Sequence, residues 1–367
     1  MGGIYGNTAA TALEDCPAPA RGIISGMLQQ GVSQSNPSHP STTPHLYIES
    51  PAHRNKYALG YLLCVVFARG LVDTTSHGWR PLFWFAAGPP VLIILFRLCL
   101  PENDAYLAQK RLRQEAEVQE GGTQTQTFFL QGKVALKRHW VVLVYMVLLM
   151  AGFNFMSHGS QDLYPTMLES QFDFSADMVT VTQVVANLGA ITGGIVVGYL
   201  SQAFGRRLSI LVCCVVGGAL LYPYTFVSSG EIMAAAFFEQ FCVQGAWGVI
   251  PIHLMELSPG ALRSFVVGTA YQLGNLASSA SSTIEAKLGE EFPLPGDDGE
   301  EERYEYGRVI CIFMGCVFAY VVILTLIGPE RNGRSFDIEE DEDTREVAGK
   351  ETVAAAAGTA TTKEGDV

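Results

Sequence analysis

The sequence predicts an all-α polytopic membrane protein, and three observations support that prediction. Hydrophobic residues make up 49% of the 367-residue chain and charged residues only 16%, whereas a soluble domain usually carries about 25% charged residues. Apolar segments long enough to cross a bilayer, which takes roughly 20 residues, recur along the chain. Charged and turn-forming residues are concentrated between those segments.

The charge distribution and the absence of reactive motifs exclude several functional classes. Much of the net charge of −13 lies in two acidic runs, residues 289–305 and 337–346, outside the predicted spans, so no nucleic-acid partner is indicated. No nucleophile, metal cluster or phosphate-binding loop occurs at the spacing that catalysis requires. The eight cysteines lie mostly within apolar segments and are interpreted as small side chains of the core. We therefore expect neither an enzyme nor a bound cofactor.

An internal repeat relates the two ends of the chain. At a constant offset of 242 positions, seven residues recur in register. They are Gly3, Gly6, Glu14, Pro17, Arg21, Gly26 and Gln30, which match Gly245, Gly248, Glu256, Pro259, Arg263, Gly268 and Gln272. Parallel repeats are typical of transporters built from two homologous halves. If the second copy covers spans ten and eleven, the first covers the end of span four and span five. Spans one to three and most of span four are then not part of this sequence.

Residues 1–100 are accordingly interpreted as a remnant of the first half. Residues 32–56 interrupt span five; they contain four prolines and many serines and have no hydrophobic period. Our hypothesis is a disordered insert that is foreign to the fold and translated from an unspliced intron. Span six is predicted at residues 81–100, and the charged residues 101–138 form a predicted linker between the halves.

The second half, residues 139–328, contains six predicted spans. Span seven starts at Trp140, and spans eight to twelve are predicted at 178–200, 208–227, 231–257, 264–286 and 308–328. Basic residues lie in alternate loops, which share one side of the membrane, while the loop before span twelve is mostly acidic. The linker and the acidic, disordered tail, residues 329–367, are therefore predicted to be cytoplasmic.

A polar stripe on span seven is the main candidate site. Its members are Asn154, Ser157, His158, Ser160, Gln161, Asp162 and Thr166, and no loop signal precedes them, so the helix is predicted to continue through them. Steps of four residues place Asn154, His158 and Asp162 on one helix face. A charged group at mid-bilayer costs about 2.5 to 3.5 kcal/mol, so this face must line a bundle interior or a wet cavity.

Two interpretations of the stripe are open. Its polar groups could simply hydrogen-bond to neighbouring helices and stabilise the bundle. Alternatively, a histidine and an aspartate held one turn apart can bind a proton, an anion or both. The sequence does not decide which of His158 and Asp162 carries the proton, because a strongly coupled pair titrates jointly.

The stripe also resembles the signature of the fungal Jen-type monocarboxylate permeases, proton symporters of lactate and pyruvate in the major facilitator superfamily. Every fixed position of that signature is filled, and the resemblance covers nearly the whole chain apart from the insert and the acidic tail. It implies a major facilitator fold, a small monocarboxylate substrate and a plasma-membrane location, with a coupled proton in place of a cofactor. The resemblance also implies that Gln272 and Asn275 of span eleven help to shape substrate choice; interhelical hydrogen bonding is the alternative for both.

The sequence also supports predictions for two ionisable residues of span ten and for one loop between spans. Glu239 lies two turns inside span ten and is a second proton-site candidate, unless its side chain reaches the interface. His253 is predicted to be an interfacial side chain near the end of the same span. The turn containing Gly198, Gly205, Arg206 and Arg207 resembles the superfamily's loop motif, which gates the transporter through charge contacts with helix ends. A positive-inside anchor is the equally open alternative.

The predicted function is proton-coupled uptake of lactate and pyruvate. A major facilitator transporter of another organic anion or metabolite is the first alternative. A non-transporting sensor or truncated remnant is the second, because a cleft between two halves needs the absent spans. The predicted partners are the lipid bilayer, the substrate and the proton, with trafficking or ubiquitin machinery on the tail.

Overall fold

The computed structural model describes residues 4–14, 16–31, 124–258, 263–294 and 303–333, together with isolated positions between 80 and 99. Within these ranges all regular elements are helical, and the predicted all-α class is confirmed. The predictions for the insert at 32–56, for most of span six, for linker residues 101–123 and for the tail beyond residue 333 lie outside the described residues.

Nine helices are labelled in the described part of the chain. They are α1 (Ile4–Glu14), α2 (Arg21–Gly31), α3 (Gln124–Gln161), α4 (Ala176–Phe204), α5 (Arg206–Phe226), α6 (Ile232–Leu257), α7 (Arg263–Ser278), α8 (Ser281–Glu290) and α9 (Tyr306–Ile327). Shorter helical turns lie at Ala18–Ala20 and, after α3, at Tyr164–Thr166 and Met167–Gln171.

Four described segments are long and apolar enough to cross a membrane, namely His139–Gln171, α4, α5 and α9. Local sequence sets their ends. The Ser175 hydroxyl accepts a hydrogen bond from the Met178 amide (3.3 Å) and caps the start of α4. Gly205 ends α4 at φ +90°, a conformation that L side chains rarely adopt, so the chain can turn directly into α5.

Helix α6 is the centre of the bundle. It packs against α4, α5 and α2, and every residue from Cys242 to Leu257 is buried. Glycines set its distance from α4: a Cβ on Gly189 or Gly193 would overlap the carbonyl oxygen of Phe237 or Phe241, respectively. Small residues let the two backbones approach this closely.

The first repeat copy packs against the second half of the chain. Helix α1 contacts α7, and α2 contacts α4 and α6. A Cβ on Gly6 would overlap the Ser264 carbonyl oxygen, and one on Gly26 would overlap that of Gly194. Glycines of the repeat therefore lie where the N-terminal helices cross those of the second half.

Two helices differ from their predicted course at the ends. Helix α3 begins at Gln124, inside the segment predicted as a linker, and runs without interruption into span seven. At its other end the predicted continuation through Thr166 is wrong, because α3 stops at Gln161 and Thr166 lies in the separate turn that follows. Pro165 explains the stop, since proline has no amide hydrogen to donate to the carbonyl of Gln161, four residues earlier, and its ring would clash with that carbonyl in a continuous helix.

Span eleven, predicted as one helix over 264–286, is divided into α7 and α8. The Ser278 hydroxyl donates to the Asn275 carbonyl oxygen (3.1 Å), and the Ser279 hydroxyl donates to that of Leu276 (2.7 Å). Serine side chains that bond to carbonyls three residues earlier compete with the helical ladder, which accounts for the break.

Candidate functional site

Buried His158 and half-buried Asp162 form a pair at the end of α3. His158 Nδ1 and Asp162 Oδ2 are 2.9 Å apart, and the two side chains are 7% and 13% exposed. The Asp162 amide donates to the His158 carbonyl oxygen (2.9 Å), so helical geometry persists one residue beyond α3 and holds the side chains one turn apart. The Ser282 hydroxyl of α8 donates to the same Asp162 Oδ2 (3.1 Å). Because a carboxylate accepts, we assign the hydrogen of the pair to Nδ1.

A chain of hydrogen bonds connects the end of α3 with α6 and α5. Gln161 Nε2 donates to Gln240 Oε1 (2.9 Å), and Gln240 Nε2 donates to the Tyr224 hydroxyl (3.4 Å). Tyr224 in turn donates to the Ser160 carbonyl oxygen (2.6 Å). The Tyr224 ring stacks on Tyr164, with centroids 4.1 Å apart. These bonds join the end of α3, through Gln161 and the Ser160 backbone, to both α6 and α5.

The inner part of the stripe is also hydrogen-bonded. Ser157 Oγ accepts from the indole Nε1 of Trp247 on α6 (2.6 Å), and Ser160 Oγ donates to the Ser157 carbonyl oxygen (3.2 Å). Asn154 Nδ2 donates to the Met150 carbonyl oxygen (2.8 Å). Within the described ranges, the buried Oδ1 of Asn154 has no hydrogen-bond partner, which leaves one acceptor facing the bundle interior.

Not every predicted site residue joins this cluster. Helix α7 crosses α3 where Gly274 meets the backbone at Met150, and Gln272 and Asn275 flank that crossing, half-buried. No hydrogen bond among the described residues joins either side chain to the stripe. Thr166 is half-buried in the turn after α3 and is likewise separate from the cluster.

Two ionisable side chains of α6 are more deeply buried than the sequence indicates. Glu239 is 0% exposed, so its side chain does not reach an interface. Neither carboxyl oxygen has a hydrogen-bond partner in the part of the chain that the structure describes. The prediction of an interfacial His253 is wrong, because this residue is also 0% exposed. Position near a helix end does not produce exposure here, since neighbouring helices enclose α6.

At the opposite end of the bundle, Arg206 connects the turn after α4 to α6. Its guanidinium donates twice to Glu256, Nε to Oε2 at 3.1 Å and Nη2 to Oε1 at 2.9 Å. Nη1 donates to the Ser201 hydroxyl (2.7 Å), and Arg206 is 1% exposed. The planar fork of arginine suits this two-point contact with a carboxylate.

Hydrogen bonds also connect the same turn to the end of α9. The Glu330 carboxylate accepts from the amides of Arg206 (3.0 Å) and Arg207 (2.9 Å), which are the first two residues of α5. An acid at a helix N-terminus satisfies unpaired amides and complements the helix dipole. The Arg207 guanidinium donates to the carbonyl oxygens of Thr325 and Leu326 near the end of α9.

Sequence reasoning missed several members of these clusters. Glu256, Trp247, Tyr224 and Ser282 were not among the predicted site residues. For Glu256 a signal exists, because it recurs as Glu14 in the repeat. The other three are ordinary residues of apolar or serine-rich segments, and only their packing brings them to the stripe. Among the described ranges, no group of three or more His, Cys, Asp or Glu side chains is placed to hold a metal ion.

A helical bundle with segments long and apolar enough to cross a membrane, and with polar clusters enclosed between its helices, is typical of a polytopic membrane protein. The sugar (and other) transporter family matches residues 54–341. The chain belongs to this family of the major facilitator superfamily, as the resemblance implied.

Several curated proteins are similar to the chain. A carboxylic acid transporter protein homolog of Saccharomyces cerevisiae is 38% identical over 342 residues, which cover 90% of this chain and 52% of the relative. A cis,cis-muconate transport protein of Acinetobacter baylyi is 27% identical over 62% of this chain and 54% of its own length. A sialic acid transporter of Escherichia coli is 22% identical over 71% of this chain and 58% of its own length. The chain thus spans about half the length of these relatives.

Proposed function

We propose that the protein is a proton-coupled transporter that carries short-chain monocarboxylates, lactate and pyruvate, across the plasma membrane. The observation that carries this proposal is the largely buried His158–Asp162 pair, which lies among neutral hydrogen-bonding groups in a transporter fold. A largely buried ionisable pair in a membrane bundle is expensive, and a role in moving charge accounts for it. The yeast relative's name supports a carboxylic acid as the class of substrate.

The chemistry of the pair suits a small carboxylate. An anion that leaves water needs donors to offset its desolvation, and a proton that travels with it makes the load neutral. Protonated His158 supplies a charged donor, while Asn154 and Gln161 supply neutral amides. Gln272 and Asn275 on α7 could approach the substrate as the halves move, and would then distinguish one monocarboxylate from another.

The opposite end of the bundle supplies the gate in this proposal. Gly198 and Gly205 allow the tight turn and the close helix contacts, and Arg206 and Arg207 clamp the ends of α6 and α9. We place this end, the linker and the tail in the cytoplasm. Breaking and remaking these charge contacts would accompany the alternation between outward and inward access.

Uptake of labelled lactate by cells that lack their own lactate uptake tests the proposal. We expect uptake that rises as the external pH falls and that pyruvate suppresses by competition. His158→Ala and Asp162→Asn should abolish it. Asp177→Asn is the matched control, because it removes an exposed carboxylate in the first turn of α4, at the same end of the bundle.

The alternatives give different results in the same assay. Suppression by muconate or sialic acid rather than by pyruvate would indicate another organic anion, as the bacterial relatives' names suggest. Normal surface expression with no uptake of any of these acids would contradict transport and favour a sensor or a remnant.

A further inference from the structure

We propose that Glu239 holds the coupled proton, while the His158–Asp162 pair binds the substrate carboxylate. This inference rests on the proposed symport and assigns its two charges to two separate sites. The supporting observation is that two carboxyl groups, Glu239 on α6 and Asp162 after α3, differ in burial and in hydrogen-bond partners.

Among the described residues, no cationic side chain forms an ion pair with the enclosed Glu239. It is fully buried, and neither of its oxygens has a hydrogen-bond partner among the described residues. In the part of the chain that the structure describes, the titratable groups whose electrostatics Glu239 influences are Tyr164 from the turn after α3, Tyr224 and Cys214 from α5, and Cys242 from its own helix. None of these four is a cation.

Asp162 has the opposite surroundings. Its Oδ2 receives hydrogen bonds from His158 (2.9 Å) and Ser282 (3.1 Å), and its side chain retains some exposure. Donors of this kind stabilise an ionised carboxylate, whereas ionisation of a carboxyl group that is buried without partners is strongly disfavoured. Two carboxyl groups in such different surroundings take different protonation states. In this conformation Glu239 is therefore the neutral acid and Asp162 the carboxylate.

A hydrogen bond joins the two chain segments at residues adjacent to both sites. Gln240, the residue after Glu239, accepts from Gln161, the residue before Asp162 (2.9 Å). The Tyr224 hydroxyl, which bonds to Gln240, belongs to a phenol that interacts with Glu239. A shift of α6 that brings water to Glu239 would therefore also move the partner of Gln161. In that step the Glu239 O–H bond breaks, the proton passes to water, and the carboxylate stays on the protein.

Infrared spectroscopy of the purified full-length chain tests the protonation state without reference to transport. We expect the carbonyl stretch of a protonated carboxylic acid at neutral pH, and we expect Glu239→Gln to lower its intensity by the contribution of one carboxyl group. Glu231→Gln is the matched control, because it changes an exposed carboxyl at the start of the same helix and should leave the band intact. An unchanged band intensity in Glu239→Gln, or the same loss of intensity in Asp162→Asn instead, would overturn the inference.

Transport assays test the coupling. With 1:1 symport, an inward proton gradient of about one pH unit supports roughly tenfold accumulation of lactate, since one unit is a factor of ten in proton activity. Glu239→Gln should lower the ratio of internal to external lactate to about one. It should still exchange internal for external lactate, because the amide mimics the neutral acid. Asp162→Asn should lose both the accumulation and the exchange of lactate. Unchanged accumulation by Glu239→Gln, or loss of exchange together with accumulation, would contradict the assignment. A wild-type protein that moves no lactate would instead contradict the proposed function.

Discussion

Arg206 and Glu256 face each other across α5 and α6 in a doubly hydrogen-bonded ion pair, with N–O distances of 3.1 and 2.9 Å. The two side chains are 1% and 2% exposed, so each charge depends on the other. The Gly333 amide also donates to Glu256 Oε1 (3.2 Å), and Glu330 binds the amide of Arg206 (3.0 Å). The pair therefore joins the turn before α5, the end of α6 and the segment after α9 at one point.

Removal of one charge of this pair should destabilise the protein strongly. Glu256→Gln leaves the buried guanidinium without its countercharge, and breaking a buried pair in this way costs about 3 to 5 kcal/mol. Unfolding in detergent, followed by circular dichroism, measures the loss. Arg303→Gln is the control: its ion pair with Asp173 is exposed, with an N–O distance of 3.5 Å, and such pairs contribute about 1 kcal/mol or less. Equal effects of the two substitutions would show that burial does not matter at Glu256.

Glycine at position 248 should be required for the approach of α6 to α4. A Cβ there would overlap the carbonyl oxygen of Gly194, so Gly248→Ala forces two backbones apart. Overpacking of this kind costs about 1 to 3 kcal/mol. The control is Gly218→Ala in α5, where a Cβ meets no atom within 4 Å and alanine is favoured over glycine by up to about 1 kcal/mol in a helix. Melting temperatures in detergent should move in opposite directions. A shift of the same sign in both variants would argue against the close contact.

The hydrogen bond from Trp247 to Ser157 should appear as a coupling energy in a double-mutant cycle. Ser157→Ala leaves a buried indole N–H without its acceptor, which costs about 1 to 3 kcal/mol of unfolding free energy. In the Trp247→Phe background the same substitution should cost less, because the donor is gone. Trp140→Phe provides the control, since this tryptophan is 58% exposed and should not couple to Ser157. A fully additive cycle for Trp247 would contradict the 2.6 Å contact.

Helix type and approximate position were predictable because apolar periodicity and span length are local properties. Helices are present where spans eight, nine, ten and twelve were predicted, namely α4, α5, α6 and α9, each within a few residues of the predicted limits. The ends of α3 and the break between α7 and α8 were not predicted. There a single proline, or serine hydroxyls competing for backbone carbonyls, outweighs the hydrophobic pattern.

The candidate site was predictable where it lies on one helix. His158 and Asp162 are four residues apart, so helical geometry alone brings them together. Partners from other helices were not predictable: Ser282 lies in a break that the sequence did not indicate, and Trp247 occurs in a segment that reads as plain core. Gln272 and Asn275, included because of the family resemblance, stay apart from the stripe in this conformation.

The sequence by itself determined the helical membrane class, the family and the pairing of His158 with Asp162, because composition, span length and i,i+4 spacing act along one chain segment. Only the tertiary structure decided that the described neighbours of Glu239 carry no positive charge, whereas Arg206 is paired with Glu256. Burial and charge complementarity depend on which helices enclose a side chain, and helices distant in the sequence supply those neighbours.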